Sequence, residues 1–100
     1  MRYRSTILPA GMIIEISDNL VFNDHDKFRE VIDLILQNNN DHYTLDLSDV
    51  NFIDSAGLGM LLIIQDEASK AGKSVSLTGV QGQVEKMIKI AHFEGLFHIH

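Results

Sequence analysis

Cysteine is absent from the 100-residue chain, which excludes disulfides, thiolate chemistry and cysteine-ligated zinc. The fold has to be held by packing alone. Basic clusters are missing as well: 8 lysines and arginines stand against 14 acidic residues, a formal net charge of −6. That balance opposes attraction to phosphate backbones, so no nucleic-acid partner is expected. No apolar run is long enough to span a bilayer, and the first nine residues lack the extended apolar segment of a secretory signal. Direct membrane insertion is therefore not expected, and cytoplasmic residence is. There is also no internal repeat, low-complexity tract or linker.

What is present is the composition of a globular domain, 45% hydrophobic and 22% charged. Such a length supports one core and not two, so residues 1–100 are read as a single domain. Two short turn signals, Pro9-Ala10-Gly11 and Gln37-Asn38-Asn39-Asn40-Asp41, help to divide the chain into alternating elements. Residues 2–8 read as a weak strand and residues 12–17 as a better one, joined by the Pro-Ala-Gly turn into a hairpin. Asn23 or Asp24 is positioned to cap a helix whose Phe28, Val31, Ile32, Ile35 and Leu36 fall on one face. Residues 43–48 and 73–79 alternate as strands. Gln81 or Gly82 opens a last helix with Val84, Met87, Ile88 and Ala91, and residues 96–99 close as a short strand or simply pack. This order predicts an α/β fold, a small α+β sandwich with a mixed sheet and right-handed crossovers.

The segment Asp54-Ser55-Ala56-Gly57-Leu58-Gly59 carries most of the functional signal. It follows the strand of residues 43–48 and the apolar bridge Val50-Asn51-Phe52-Ile53, and it precedes an apolar stretch that runs to Ala71 before Gly72 stops it. Ser55 thus falls at or beside a helix N-cap, near unpaired N–H groups and the positive end of the dipole. Serine is a favoured cap and Asp54 can share that task, so spacing alone favours a capping role. The competing role is a phosphate acceptor: a phosphate there adds about −1.5 to −2 charges next to Asp54 and abolishes binding to a partner shaped for a neutral hydroxyl. Gly57 and Gly59 cost about 1 kcal/mol each in a helix interior, which close packing or the approach of a partner's backbone would offset. Leu58, Leu61 and Leu62 share a sector that can face the sheet, while Met60, Ile63 and Ile64 point elsewhere. Either sheet and neighbouring helix cover helical residues 58–64 on most sides, or, as the small size of the chain favours, an apolar strip stays exposed beside Ser55.

Other constellations carry less. His25, His42 and His92 fall in different elements without paired-ligand spacing, so no metal site is expected; His98 and His100 share a strand side only at the chain end. Ser55 is not framed as Gly-x-Ser-x-Gly, which argues against a serine hydrolase. Gly57-Leu58-Gly59 lacks both the P-loop lysine and the third glycine of a dinucleotide site, so no cofactor is expected.

The run Leu45-Asp46-Leu47-Ser48-Asp49-Val50-Asn51-Phe52-Ile53-Asp54-Ser55-Ala56-Gly57-Leu58-Gly59, with Gly95-Leu96-Phe97 near the end, closely resembles the signature of STAS domains, in particular bacterial anti-sigma factor antagonists. The resemblance implies a four- or five-stranded mixed sheet with helices packed mainly on one side, and no catalytic activity. It also implies partner switching: the unphosphorylated domain binds an anti-sigma factor or related serine kinase, the kinase phosphorylates Ser55, and a serine phosphatase reverses the modification. Ala56 stands where a second serine is frequent, which leaves Ser55 as the acceptor. The implied contact surface comprises Asp24, Asp54, Ser55, Ala56, Gly57, Leu58, Gly59, Met60, Ile63 and Ile64, on a monomer or weak homodimer. Residues 17–26 depart from the family's pattern by lacking a glycine, so partner identity stays open. The alternative is a non-switching interaction subunit of a lipid ABC transporter or a stress-signalling scaffold.

Overall fold

Every second residue of a strand points the same way, and here the alternation sorts by burial. In β2 (Gly11–Ser17) Met12, Ile14 and Ile16 are buried while Ile13, Glu15 and Ser17 are half-exposed. β3 (His42–Asp49) repeats the pattern with Tyr43, Leu45 and Leu47, and β4 (Ser74–Thr78) with Val75 and Leu77. Pairing sets Ile14 beside Leu45 and Leu45 beside Leu77, so the buried side chains join into one apolar face. The computed structural model describes residues 1–99, and His100 lies outside them.

β1 (Arg2–Leu8) folds back on β2 through the two-residue loop Pro9-Ala10 and pairs antiparallel. β2, β3, β4 and β5 (His98–Ile99) then run parallel, giving a five-stranded mixed sheet in the spatial order β1-β2-β3-β4-β5. Each parallel step needs a crossover, supplied in turn by α1 (His25–Gln37), α2 (Ser55–Lys70) and α3 (Gly82–Ile90). Phe28, Val31, Ile32 and Ile35 of α1, Leu58, Leu61, Ile64 and Ala68 of α2, and Val84 and Ile88 of α3 pack with the apolar sheet face in a single core. The other face keeps polar residues such as Arg4, Glu15, Thr44, Asp46, Ser76 and Thr78, and none of these is buried. The helices therefore occupy one side only.

The expected strands and helices are all present, with small shifts at their ends. Leu36 differs: it is 37% exposed in the last turn of α1, at the edge of the arc that Phe28, Val31, Ile32 and Ile35 bury. The closing segment forms a 3-10 turn at Phe93–Gly95, with Phe93 and Phe97 stacked in the core, before the two residues of β5.

One-sided coverage has a measurable consequence. Leu45→Ala, which truncates a fully buried side chain, should lower the unfolding free energy by about 2–5 kcal/mol in denaturant titrations. Its neighbour Thr44→Ala, on the uncovered face, should cost less than about 1 kcal/mol.

Candidate functional site

The connection from β3 to α2 is short and held from two sides. Val50 N–H donates to Leu47 O at 3.0 Å, turning the chain at the end of β3, and Val50 and Ile53 are buried. On one side Gln83, near the start of α3, clamps Ile53: its Oε1 accepts from Ile53 N and its Nε2 donates to Ile53 O, both at 2.9 Å. Gln81 Nε2 donates to Val50 O at 3.0 Å. On the other side the loop after β2 zips on, with Leu20 N donating to Phe52 O at 3.0 Å and Asp54 N to Leu20 O at 3.2 Å. Leu20 and Ile53 form a parallel bridge, and both are fully buried.

This pairing holds Asp54 in extended backbone, φ −98° and ψ −179°, so that α2 starts at the next residue. Asp54, not Ser55, is the N-cap. Its Oδ1 accepts from Gly57 N at 2.7 Å, and its Oδ2 accepts from Phe22 N at 3.2 Å. Ser55 is the first helical residue; its side chain is exposed, and its hydroxyl has no hydrogen-bond partner among the described residues. The capping role that spacing favours for Ser55 thus belongs to the carboxylate before it. Each adjacent side chain carries an oxygen, but only Asp54 is extended enough for its oxygen to reach the third N–H of the helix.

The two glycines separate in the same way. A Cβ on Gly57 would stand 2.4 Å from Leu20 O and 2.7 Å from Ile53 Cγ1, so Gly57 lets the first turn of α2 lie against the loop after β2. A Cβ on Gly59 would meet nothing within 4 Å. Nothing inside the described fold requires Gly59 to lack a side chain.

Several residues expected on the contact surface are inside, Met60 and Ile64 of the expected strip among them. Ile64 is 1% exposed, Met60 and Leu58 are 9% exposed, and Gly57 is buried. The run 58–64 is apolar in every sector, and packing of α2 on α1 turns the Met60 side inward, beside Phe28, Ile32 and Ile63 around a shallow groove of about 130 Å³. The exposed apolar residues are Ile63 at 49% and Leu62 at 38%, the latter expected to face the sheet. Ala56 and Gly59 are half-exposed. Two aromatic residues not singled out from sequence join this surface: Phe22, 64% exposed on the short 3-10 helix Phe22–Asp24, and Phe52 at 43%. Their signal in the sequence is slight, a lone aromatic residue outside the periodic segments in each case.

Asp24 does not use its side chain to cap α1. Its carboxylate reaches back instead, accepting from Val21 N at 3.0 Å and from the Met1 ammonium at 2.9 Å. Burial disfavours its charge, but the Val21 N–H and the ammonium outweigh that and hold the carboxyl below its ordinary range. Next to it, His25 Nδ1 lies 3.2 Å from Phe22 O, and its ring contacts the Phe22 ring. No group of three or more metal-ligating side chains occurs among the described residues, and no described helix is long and apolar enough to cross a membrane.

With this geometry in place, similarity to known proteins gains meaning. A family model described as "Mlab, STAS domain" matches residues 4–98. A STAS-domain containing protein of Pseudomonas aeruginosa (strain UCBPP-PA14) is 32% identical over an alignment 98 positions long that takes in 94% of this chain and 96% of the relative. Among solved structures, a candidate anti-sigma factor antagonist from Thermotoga maritima superposes with a TM-score of 0.87 at 24% identity, covering 97% of this chain and 84% of that one. The anti-sigma factor antagonist SpoIIAA in its unphosphorylated form gives 0.74 at 17% identity over 99% of this chain and 87% of that one. The same Bacillus protein in its phosphorylated form gives 0.72 at 15% identity, covering 99% and 91%. At these identities the structures establish a common fold.

The cap and the glycines make separable predictions. Asp54→Ala should cost about 1–2 kcal/mol of stability, whereas Ser55→Ala should change it by less than about 0.5 kcal/mol. Gly57→Ala should destabilise, and Gly59→Ala should stabilise by about 1 kcal/mol, read as opposite shifts of the thermal midpoint.

Proposed function

The chain belongs to the STAS domain family, and from that premise we propose that it is a partner-switching regulator of the anti-sigma factor antagonist kind, controlled by phosphorylation of Ser55. The observation that carries this reading is the idle, exposed Ser55 hydroxyl at a helix start whose capping is done by Asp54. Such a hydroxyl can be modified without loss of any intramolecular bond. The partner is an anti-sigma factor or related serine kinase, which brings the ATP, and a serine phosphatase restores the hydroxyl. The domain itself contributes no catalytic group and acts in the cytoplasm as a monomer or weak homodimer.

The contact surface of this reading is built from Ser55, Ala56, Gly59, Leu62 and Ile63 on α2, from Phe22 and Phe52 beside it, and from the edges of Asp24 and Asp54. Gly57, Leu58, Met60 and Ile64 shape it from below. Exposed aromatic and aliphatic side chains around a central polar group suit a partner that buries the patch. A phosphate at the centre brings about −1.5 to −2 charges into a surface where Asp54 is already negative, and desolvating it against the partner is costly. Gly59, with open space around it, leaves room for a partner's backbone to approach the helix.

A second reading is favoured by the matching family model, whose description is that of the Mlab STAS domain. In it the chain is a constitutive subunit of a lipid transporter and Ser55 is never modified. Incubation with ATP and the kinase encoded beside its gene distinguishes the two. The switch predicts a gain of one phosphate in the intact mass, absent in Ser55→Ala. It also predicts that Ser55→Asp weakens partner binding at least about tenfold, or about 1.4 kcal/mol, while Ser55→Ala binds as the parent does. Stable co-purification with a large complex, and equal binding by all three forms, would instead establish the subunit reading. Gly59→Ala, although more stable, should bind the partner more weakly.

A further inference from the structure

β1 is the long free edge of the sheet. Its pairing with β2 runs without interruption from Arg2 opposite Ser17 to Leu8 opposite Gly11, and no described strand pairs with its other side. An open edge is a template for another strand unless proline, a bulge or a charge blocks it. Pro9 falls beyond the strand, and the register shows no bulge. The two arginines point to the uncovered face and are tied to their own chain, Arg4 to Glu15 at 3.1 Å and Arg2 to Asp18 at 3.0 Å. Residues 5–8, Ser-Thr-Ile-Leu, carry no charge, and Ile7 is 67% and Leu8 40% exposed.

The hairpin fixes which backbone groups face outward. Leu8 and Gly11 flank a two-residue loop, so they form a hydrogen-bonded pair, and Thr6, Arg4 and Arg2 turn their N–H and C=O groups toward β2 as Leu8 does. Tyr3, Ser5 and Ile7 therefore direct theirs away from the sheet. Their side chains lie on the helix-bearing face, since Tyr3 pairs with Ile16, Ser5 with Ile14 and Ile7 with Met12.

We propose that this edge binds a second copy of the chain, β1 against β1 in antiparallel pairing about a two-fold axis at Ser5. In that register Ser5 faces its equivalent and Tyr3 faces Ile7 of the second copy, so the outward groups of all three residues are paired and the tyrosine ring covers the exposed isoleucine. On the uncovered face Arg4 lies opposite Thr6 and Arg2 opposite Leu8, so no arginine stands directly opposite another; Arg4 and its equivalent are diagonal neighbours, each paired with the Glu15 of its own chain. Moving the axis to Arg4 would set guanidinium on guanidinium, which the charges disfavour. Because β2 to β5 of the second copy then run opposite to those of the first, the two Ser55 surfaces point to opposite ends of one continuous sheet. Both stay free, so the pairing is independent of the switch and makes the assembly bivalent.

A strand-to-strand contact covers less than the roughly 1,200 Å² of a stable complex, so the dissociation constant is expected on the order of 0.1 mM. Sedimentation equilibrium from about 10 μM to about 1 mM should show a mass rising from the monomer toward the dimer. Over the same range, amide exchange should slow at Tyr3, Ser5 and Ile7 and stay constant at Arg4 and Thr6. Ser5→Pro removes an outward N–H without touching the bonds to β2, and Ser5→Lys sets two ammonium groups against each other; both should remain monomeric with unchanged circular dichroism. The proposal is overturned if the parent stays at 11.2 kDa at the highest concentration. It is overturned equally by a dimer that survives both variants, which would place the contact elsewhere, for instance on Leu62 and Ile63. The exchange pattern of the parent decides the matter even if a variant fails to fold.

Discussion

The site depends on one carboxylate that serves two segments at once. Asp54 Oδ1 closes the N-terminus of α2 on Gly57 N, and Oδ2 holds Phe22 N of the loop after β2. An ionised acceptor makes each of these bonds stronger than a neutral one, and neither N–H has a helical or sheet partner to fall back on if it is lost. The arrangement closes only because Gly57 has no side chain: Leu20 O would lie 2.4 Å from its Cβ. Cap, glycine and loop are thus a single constraint, and the exposed hydroxyl of Ser55 is its by-product. With the helix already capped, Ser55 is released from structural duty at the first position of α2.

The sheet explains why this happens where it does. Four parallel strands with all their helices on one face bring the loop after β2, the connection after β3 and the turn after β4 to one end of the sheet. There the side chains of Gln81 and Gln83 reach the β3 to α2 connection, while Leu20 reaches it from the other side. The start of α2 is fixed by bonds from both neighbours, so its position is as determined as that of a core element although Ser55 itself is exposed. Binding surfaces on loops gain precision when a rigid scaffold holds them in this way.

Much of this was legible in the chain. Period-two alternation in Met-Ile-Ile-Glu-Ile-Ser and Tyr-Thr-Leu-Asp-Leu-Ser marks strands covered on one face only, and the structure has that form. The three-and-four spacing of Phe28, Val31, Ile32 and Ile35 marks a helix with one buried face. What could not be read was decided by residues distant in sequence. Whether Asp54 or Ser55 caps α2 follows from the extended backbone at Asp54, imposed by pairing with Leu20. Whether Leu62 or Ile64 is buried cannot come from periodicity when residues 60–64 are all apolar, and the packing of α1 against Met60 settles it. Phe22 and Phe52 have no periodicity to betray them, since each is a single aromatic residue outside the strands and α-helices.

The rigidity of this end of the fold also constrains how a charge at Ser55 would act. Conformational switches need an element with two arrangements of similar energy. Here Ile53 is held by Gln83 at both its N–H and its C=O, Val50 by Gln81, and Asp54 by Leu20, with Leu20 and Ile53 fully buried. Shifting the connection would break several of these bonds, at about 0.5–1.5 kcal/mol each, and expose core side chains, at about 2–5 kcal/mol for each large one. A phosphate therefore has little freedom to reshape the site, and its effect would lie in the charge presented at the surface. On the proposed reading the switch is electrostatic: the same backbone and the same apolar rim of Phe22, Phe52, Leu62 and Ile63 meet the partner in both states. Only the cost of burying the centre of the patch differs between them.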